Sequence, residues 1–204
     1  MKKEILPAFP YGAVYFRKSN PPKEDWERDY RTAAEDGMTT FRHWCMWSAV
    51  EVAPGKFDWD DYDRQLDLAA DNGIKTIIAE FISAAPEWAF RKFAHARYER
   101  RDGNRVESGM SGSCATGGFP GLCLDNEDFR ELAENFLRTL AERYREHPGL
   151  GGYDIWNESN VQADLCYCPG TAAKFREWLR EKYGDLHALG EAWFRHSFAE
   201  WEDI

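Results

Sequence analysis

The sequence predicts an α/β fold of the TIM (β/α)8-barrel type in which only the first four or so βα units are present. Four segments have the composition of strands, at about residues 11–16, 39–44, 74–81 and 151–156, and each is followed by a helical pattern. This alternation implies parallel strands joined by right-handed crossovers. The run Thr76-Ile77-Ile78-Ala79 is nearly unbroken in its apolar character, which is typical of a strand buried on both faces.

A doubly wound sheet is the alternative to a barrel for such a chain. That fold usually carries a Gly-rich first turn that binds phosphate. Here the first strand is followed by Arg17-Lys18-Ser19-Asn20-Pro21-Pro22, which contains no glycine. The barrel is therefore favoured, yet a complete one usually needs about 250 residues, and this chain has 204. We expect residues 1–204 to be the amino-terminal part of a barrel, with no second domain.

The helices are predicted from apolar residues at helical spacing and from turn residues at their ends. They are expected between Pro22 and Gly37, between Asp60 and Asn72, from Pro86 through Phe90, from Asp125 to His147, from Pro169 to Tyr183 and from Leu186 to Phe194. Asp125 is predicted to cap the long fourth helix. The stretch from about Gly103 to Gly121 is rich in Gly and Ser and is predicted to be an irregular loop, functional or mobile.

The composition is that of a globular protein without a nucleic-acid or membrane partner. The chain has 26 basic and 36 acidic residues and a net charge of −10, which disfavours binding to polyanions. No apolar run reaches the roughly 18 residues of a membrane span. Because Pro7 and Pro10 interrupt the apolar run after the amino terminus, a secretory leader is not expected. Five cysteines are an odd number for a disulfide scaffold, and we expect a cytoplasmic protein.

The segment that carries candidate chemistry is Tyr153-Asp154-Ile155-Trp156-Asn157-Glu158, at the end of the fourth strand. Barrel enzymes assemble their active sites at the carboxyl ends of the strands. A carboxylic acid beside Trp156, partly shielded from water, would have a raised pKa and could hold a proton near neutrality. Glu158 could then protonate a leaving oxygen, and the amide of Asn157 could hydrogen-bond a sugar hydroxyl.

A set of further segments, in the same order along the chain, resembles one enzyme family. The set comprises Arg42, Trp47-Ser48, Glu51, Pro54-Gly55-Lys56-Phe57-Asp58-Trp59, Asn72-Gly73-Ile74-Lys75, Ala84-Ala85-Pro86-Glu87-Trp88, Cys166-Tyr167-Cys168-Pro169 and residues 178–193. Together with Asn157-Glu158 after the fourth strand, it resembles glycoside hydrolase family 42, the β-galactosidases of the retaining barrel clan.

The resemblance implies a retaining β-galactosidase that cleaves terminal β-D-galactosyl residues from a galactoside or oligosaccharide substrate. Glu158 would be the general acid/base, and Asn157 and Arg42 would contact the sugar. Retention needs a second carboxylate about 5–5.5 Å from the first. In the family that nucleophile is a glutamate on the seventh strand, which lies beyond the end of this sequence. We therefore expect either part of a longer enzyme or a truncated product.

Three cysteines, Cys123, Cys166 and Cys168, form a second candidate site. Closely spaced thiolates are typical ligands of tetrahedral zinc, and the resemblance implies a structural zinc bound by four cysteines. The fourth position, three residues after Cys168, is Thr171 in this chain. Cys114 or a nearby histidine could replace it, or the site could be empty. Cys45 is expected to be a buried apolar residue.

Several residues near these motifs have a structural interpretation beside the functional one. Arg42 could pair with a core carboxylate such as Glu80 instead of a sugar. Trp44, Trp47 and Trp88 could be core residues or sugar platforms, His43 is expected in the core, and Glu51 and Glu87 are expected to be structural or solvated.

Two other functions remain open from the sequence. The first is a non-catalytic half-barrel that pairs with another chain, as a homo-oligomer for example. Its unpaired strand edges and uncovered inner faces, such as that of residues 74–81, would favour association. The second is a retaining barrel glycosidase that acts on β-mannosides or β-glucosides.

Overall fold

The computed structural model describes residues 6–7, 9–18, 20–111, 114–155, 157 and 166–204, with the backbone alone for residues 80–81, 110–111 and 114–115. Its strands are β1 (Gly12–Arg17), β2 (Thr40–Met46), β3 (Glu51–Ala53), β4 (Lys56–Phe57), β5 (Lys75–Phe81), β6 (Gly109–Ser111), β7 (Cys114–Phe119) and β8 (Leu150–Asp154). Its helices are α1 (Trp26–Glu35), α2 (Trp47–Val50), α3 (Asp60–Asp71), α4 (Glu87–Lys92), α5 (Glu127–Tyr144), α6 (Pro169–Tyr183) and α7 (Leu186–Trp193).

Four of the strands form one parallel sheet in the order β1-β2-β5-β8. Each strand lies beside the next of the four along the chain, and helices connect them. This is the arrangement of the first four strands of a (β/α)8 barrel. The four strands predicted from the sequence are these four, with ends shifted by one or two residues.

The core lies between one face of this sheet and the helices α1, α3 and α5. Side chains alternate along β2, so Phe41, His43 and Cys45 are buried against the helices, whereas Arg42 and Trp44 lie on the other face. Trp47 is fully buried and stacks on two rings of α5, with centroid distances of 5.7 Å to Phe129 and 5.2 Å to Phe136. We refer to the helix-covered side as the outer face and to the opposite side as the inner face.

On the inner face of β5, the apolar side chains of Ile77 and Ala79 lie level with Arg42 and Trp44 of β2. Ala79 is fully buried there, beside Trp44 in the register of β2 and β5. The apolar exposure lies instead at the two edges of the sheet. Val14 of β1 is 58% exposed and Ile155, just after β8, is 76% exposed.

The predicted cap of the long helix is wrong by one residue. α5 begins at Glu127, and Asn126 caps it by accepting a hydrogen bond from the backbone N–H of Phe129 at 3.0 Å. Asp125 does not cap because its carboxylate is bound elsewhere. It accepts a hydrogen bond from the Thr171 hydroxyl at 2.8 Å and pairs with Lys174.

The stretch predicted as an irregular loop contains the antiparallel hairpin β6–β7. One of the glycines that suggested a loop is required here by close packing. Gly118 has a φ of +82°, and a Cβ atom at this position would lie 1.9 Å from the carbonyl oxygen of Ala85. Only glycine combines that backbone conformation with that approach. Among the described residues, no helix has the length and apolar character needed to cross a membrane.

Candidate active site

Polar side chains meet on the inner face at the carboxyl ends of β2 and β8. These two strands are not neighbours, since β5 lies between them. Arg42 of β2 reaches across β5 to Asp154, the last residue of β8, and to Asn157 just beyond it. In the register, Ala79 of β5 lies level with both Trp44 and Asp154. Its small side chain leaves room for the arginine to cross.

The Arg42 guanidinium is held on three sides. Its Nε and Nη2 atoms donate hydrogen bonds to Oδ2 of Asp154 at 2.9 and 2.5 Å. Nη2 also donates to Oδ1 of Asn157 at 3.0 Å. The guanidinium carbon lies 4.2 Å from the ring centroid of Trp44, within the range of a cation–π contact. The side chains of Arg42 and Asp154 are 19% and 30% exposed, so the group is accessible from solvent.

Arg42 and Asn157, the two predicted sugar ligands, are thus brought together. The acidic partner of Arg42 is Asp154, a residue to which the sequence gave no role, and the side chain of Glu80 lies outside the described part. Two signals in the sequence pointed to Asp154. It lies near the carboxyl end of the strand predicted at residues 151–156, and it precedes the candidate acid Glu158 by four residues. Glu158 and Trp156 lie outside the described residues, so the general acid/base stays a prediction.

The three tryptophans take different positions. Trp47 is a core residue whose Nε1 donates to the buried carboxylate of Glu51 at 2.6 Å. Trp88 donates to the backbone oxygen of Glu51 at 2.9 Å. Glu51 also accepts from the backbone N–H of Gly55 at 2.9 Å, so it has the structural role expected. Trp44 alone of the three lies beside Arg42.

His43 is a core residue, as expected. It is 1% exposed, and its Nε2 lies 3.2 Å from the Tyr30 hydroxyl. Burial lowers the pKa of His43 to about 3, so the ring is neutral at physiological pH.

The thiols of Cys123, Cys166 and Cys168 form a cluster near the amino-terminal ends of α5 and α6. Their sulfur atoms all lie within 4.8 Å of one another, and those of Cys123 and Cys168 are 3.6 Å apart. Thiolates bound to one tetrahedral zinc at about 2.3 Å would be roughly 3.8 Å apart. Oγ1 of Thr171 lies 3.2 Å from the Cys123 sulfur and 3.3 Å from that of Cys168. The cluster therefore presents three sulfurs at a spacing that suits zinc, with a neutral hydroxyl, which is not a usual zinc ligand, beside two of them.

The pKa values of Cys123 and Cys168 are shifted in opposite directions. Burial raises the pKa of Cys123 to about 12. Burial also acts to raise the pKa of Cys168, but hydrogen bonding with Thr171 and with the neighbouring thiols outweighs it, and the pKa is lowered. Cys45, the fourth described thiol, is buried in the main core as expected. Only the backbone of Cys114 is described, in β7.

A family model described as β-galactosidase, that of glycoside hydrolase family 42, matches residues 15–204. The chain belongs to glycoside hydrolase family 42. Among family members it is 29% identical to β-galactosidase LacZ of Heyndrickxia coagulans, covering 96% of this chain and 29% of that protein. It is 30% identical to a β-galactosidase of Thermus thermophilus, covering 84% of this chain and 26% of the other.

Solved structures of β-galactosidases share the fold. The enzyme of the haloarchaeon Halorubrum lacusprofundi superimposes with a TM-score of 0.78 at 27% identity, over 94% of this chain and 28% of that one. The enzyme of Marinomonas ef1 gives the same TM-score at 25% identity, over 94% of this chain and 29% of the other. The prediction of a TIM-type barrel is confirmed. The chain spans less than a third of the length of these family 42 proteins.

Proposed function

We propose that this chain supplies the acid/base half of the active site of a retaining β-galactosidase that cleaves terminal β-D-galactosyl residues. Glu158 is the general acid/base, and Arg42 and Asn157 bind the sugar. The observation that carries the proposal is the hydrogen bond between Arg42 and Asn157 at the carboxyl ends of the strands. Asn157 directly precedes Glu158 in the sequence. Sugar-binding groups at this end of the sheet have the location of barrel active sites.

The bond to Arg42 fixes which way the Asn157 amide faces. A guanidinium can only donate hydrogen bonds, so the oxygen of the amide must be the atom that faces it. The two N–H groups of Asn157 are then directed away from Arg42. They are suited to donate to a sugar hydroxyl, a bond that strengthens as the transition state forms.

Glu158 is assigned both proton transfers of the retaining mechanism. As a neutral acid it gives its proton to the glycosidic oxygen when the bond to the aglycone breaks. As a carboxylate it then takes a proton from the water that releases the sugar. The nucleophile that forms the glycosyl intermediate is the glutamate that the family resemblance assigns to the seventh strand, so the full reaction requires a barrel that contains both carboxylates.

The test is Glu158→Gln in the complete protein, assayed with lactose and with a nitrophenyl β-galactoside. We expect hydrolysis of lactose to fall by about 10²–10⁴-fold, because its leaving group needs the proton. Cleavage of the bond to the aglycone should slow less for the nitrophenyl substrate, because nitrophenolate leaves without protonation.

A matched control is Glu142→Gln, which neutralises an exposed glutamate on α5 and should leave both activities unchanged. Undiminished lactose hydrolysis by Glu158→Gln would overturn the assignment.

A structural zinc held by Cys123, Cys166 and Cys168 is the second part of the proposal. It is supported by the separation of the sulfurs, and we assign the fourth position to the Thr171 hydroxyl, which lies within 3.3 Å of the Cys123 and Cys168 sulfurs. Because Thr171 donates its proton to Asp125, its oxygen lone pairs are free to face the thiols. With protein ligands at every corner the metal has no position for a reacting water, so it would link the start of α5 to the start of α6.

Zinc content measured by elemental analysis tests this site in the chain itself. We expect one zinc per chain in the wild type and in Cys45→Ala, whose thiol lies outside the cluster, and none in Cys168→Ser. Thr171→Cys should bind zinc more tightly, because a fourth thiolate replaces a neutral hydroxyl. A folded wild-type chain that takes up no zinc at micromolar concentrations would rule the site out.

A further inference from the structure

We propose that Asp154 is a positioning residue that also sets the charge selectivity of the sugar site. Its carboxylate holds the Arg42 guanidinium at the strand ends and cancels its positive charge. The site therefore favours a neutral glycoside over an anionic one, such as a uronide. This inference rests on the proposed role of Arg42 as a sugar ligand.

The positioning follows from the geometry of the pair. An arginine side chain has many rotamers, and holding it in one costs conformational entropy. Here two of its nitrogens share one oxygen of Asp154, at 2.9 and 2.5 Å, and the Trp44 ring supports the guanidinium at 4.2 Å. Within the described part of the chain, no acceptor contacts the remaining nitrogen, Nη1. We assign that nitrogen to the sugar.

Asp154 itself stands in a well-defined place. It ends β8, level with Ala79 of β5, and its side chain lies on the same inner face as Arg42. The bond between Arg42 and Asp154 spans the middle strand. Movement of Asp154 would therefore move the guanidinium relative to Asn157 as well.

The charge selectivity follows from what a guanidinium binds. An unpaired arginine in a half-buried site is a strong ligand for carboxylates and sulfates, because its N–H groups match two acceptor oxygens. In this chain the carboxylate of Asp154 already occupies that edge. A second anion at Arg42 could not accept a hydrogen bond from Nε, which already donates to Asp154, and it would be repelled by the negative charge of that carboxylate.

The first experiment observes the arginine in the chain itself, without any substrate. In a ¹⁵N-arginine-labelled sample, the Nε–H signal of Arg42, assigned by its loss in Arg42→Lys, should be protected from exchange with water. Asp154→Asn should reduce that protection at least tenfold, because a charged acceptor is replaced by a neutral amide.

The control for this measurement is Asp63→Asn. It weakens a second arginine–aspartate pair, Arg143 with Asp63, on α5 and α3, away from the site. It should leave the Arg42 signal unchanged. An Arg42 signal equally protected in Asp154→Asn would overturn the positioning role, whatever reaction the protein catalyses.

The second experiment measures selectivity in the complete protein, as the ratio of kcat/KM for nitrophenyl β-galactoside to kcat/KM for nitrophenyl β-galacturonide. Asp154→Asn should lower this ratio at least tenfold, and Asp154→Glu, which keeps the charge, should retain most of it. An unchanged ratio in an active Asp154→Asn enzyme would overturn the selectivity role. A wild type that cleaves no glycoside would instead contradict the proposed function, and the arginine signal would still decide the role of Asp154.

Discussion

Arg42 and His43 are neighbours in the sequence, but they lie on opposite faces of β2 and differ in charge state. Arg42 lies on the inner face, reachable from solvent, and its guanidinium, which is charged in any protein, pairs with Asp154. His43 lies on the outer face among the rings of Tyr15, Phe16 and Phe41, and burial keeps it neutral. Alternation along the strand therefore decides which polar residue is available for binding and which one belongs to the core.

The two faces also differ in how their polar atoms are satisfied. Arg42 and Asp154 meet directly, and solvent can reach both. On the outer face, the Tyr30 hydroxyl bonds both His43 and Gln65, yet Nδ1 of His43 and Nε2 of Gln65 are buried without a partner in the described part of the chain. Buried polar atoms without partners cost stability, so the outer face is where stability is most sensitive to change.

The two faces should differ most in the unfolding free energy that is lost when one aromatic residue of each face is replaced by alanine. Phe41→Ala should cost about 3–5 kcal/mol of unfolding free energy, because this ring is 3% exposed and stacks on Tyr15 at 4.7 Å. Trp44→Ala, on the inner face, should cost less than about 2 kcal/mol, since less of its surface is buried. Urea unfolding followed by circular dichroism measures both. Equal losses at the two positions would contradict the distinction.

A smaller effect should appear in the pH dependence of stability. The pKa of His43 is about 3 in the folded chain and about 6.5 when unfolded. Between these values the unfolded state binds the proton and the folded state does not, so stability is lost as the pH falls from about 6.5 towards 3. At pH 5 the loss from this residue is about 2 kcal/mol relative to pH 7.

The measurement compares urea unfolding of the wild type and His43→Gln at pH 7 and pH 5. Glutamine can still bond Tyr30 but does not titrate, so the variant should lose about 2 kcal/mol less stability than the wild type over this interval. The same loss in both proteins would show that His43 does not carry the effect.

The periodicity of the sequence predicted the sheet and most of the helices, because burial against a single layer imposes a regular spacing. The family resemblance, and not the periodicity, assigned Arg42 and Asn157 to one sugar site, and the structure brings their side chains into hydrogen-bond contact. The partner of Arg42 could not be predicted. Choosing between Glu80 and Asp154 requires the stagger between strands and the direction of each side chain, which depend on the packing of the whole sheet.

Two errors at the level of single elements have a similar origin. Asp125 and Asn126 are both good caps by residue type, and the choice between them is made by Thr171, which is 46 residues from Asp125 in the sequence. The glycines of the β6–β7 hairpin have the composition of a loop. The packing role of Gly118 depends on the backbone of Ala85, which the local sequence does not reveal.

Ala79 lies in the middle strand, level with both Trp44 and Asp154, between the arginine of the neighbouring strand and its carboxylate partner. A valine or leucine there would occupy the path of the guanidinium, and the interior is too closely packed to yield that volume elsewhere. The reach of Arg42 is thus limited from the middle strand of the sheet. Redesign of the proposed sugar site can therefore begin at that methyl group, with Arg42 and Asn157 left as they are.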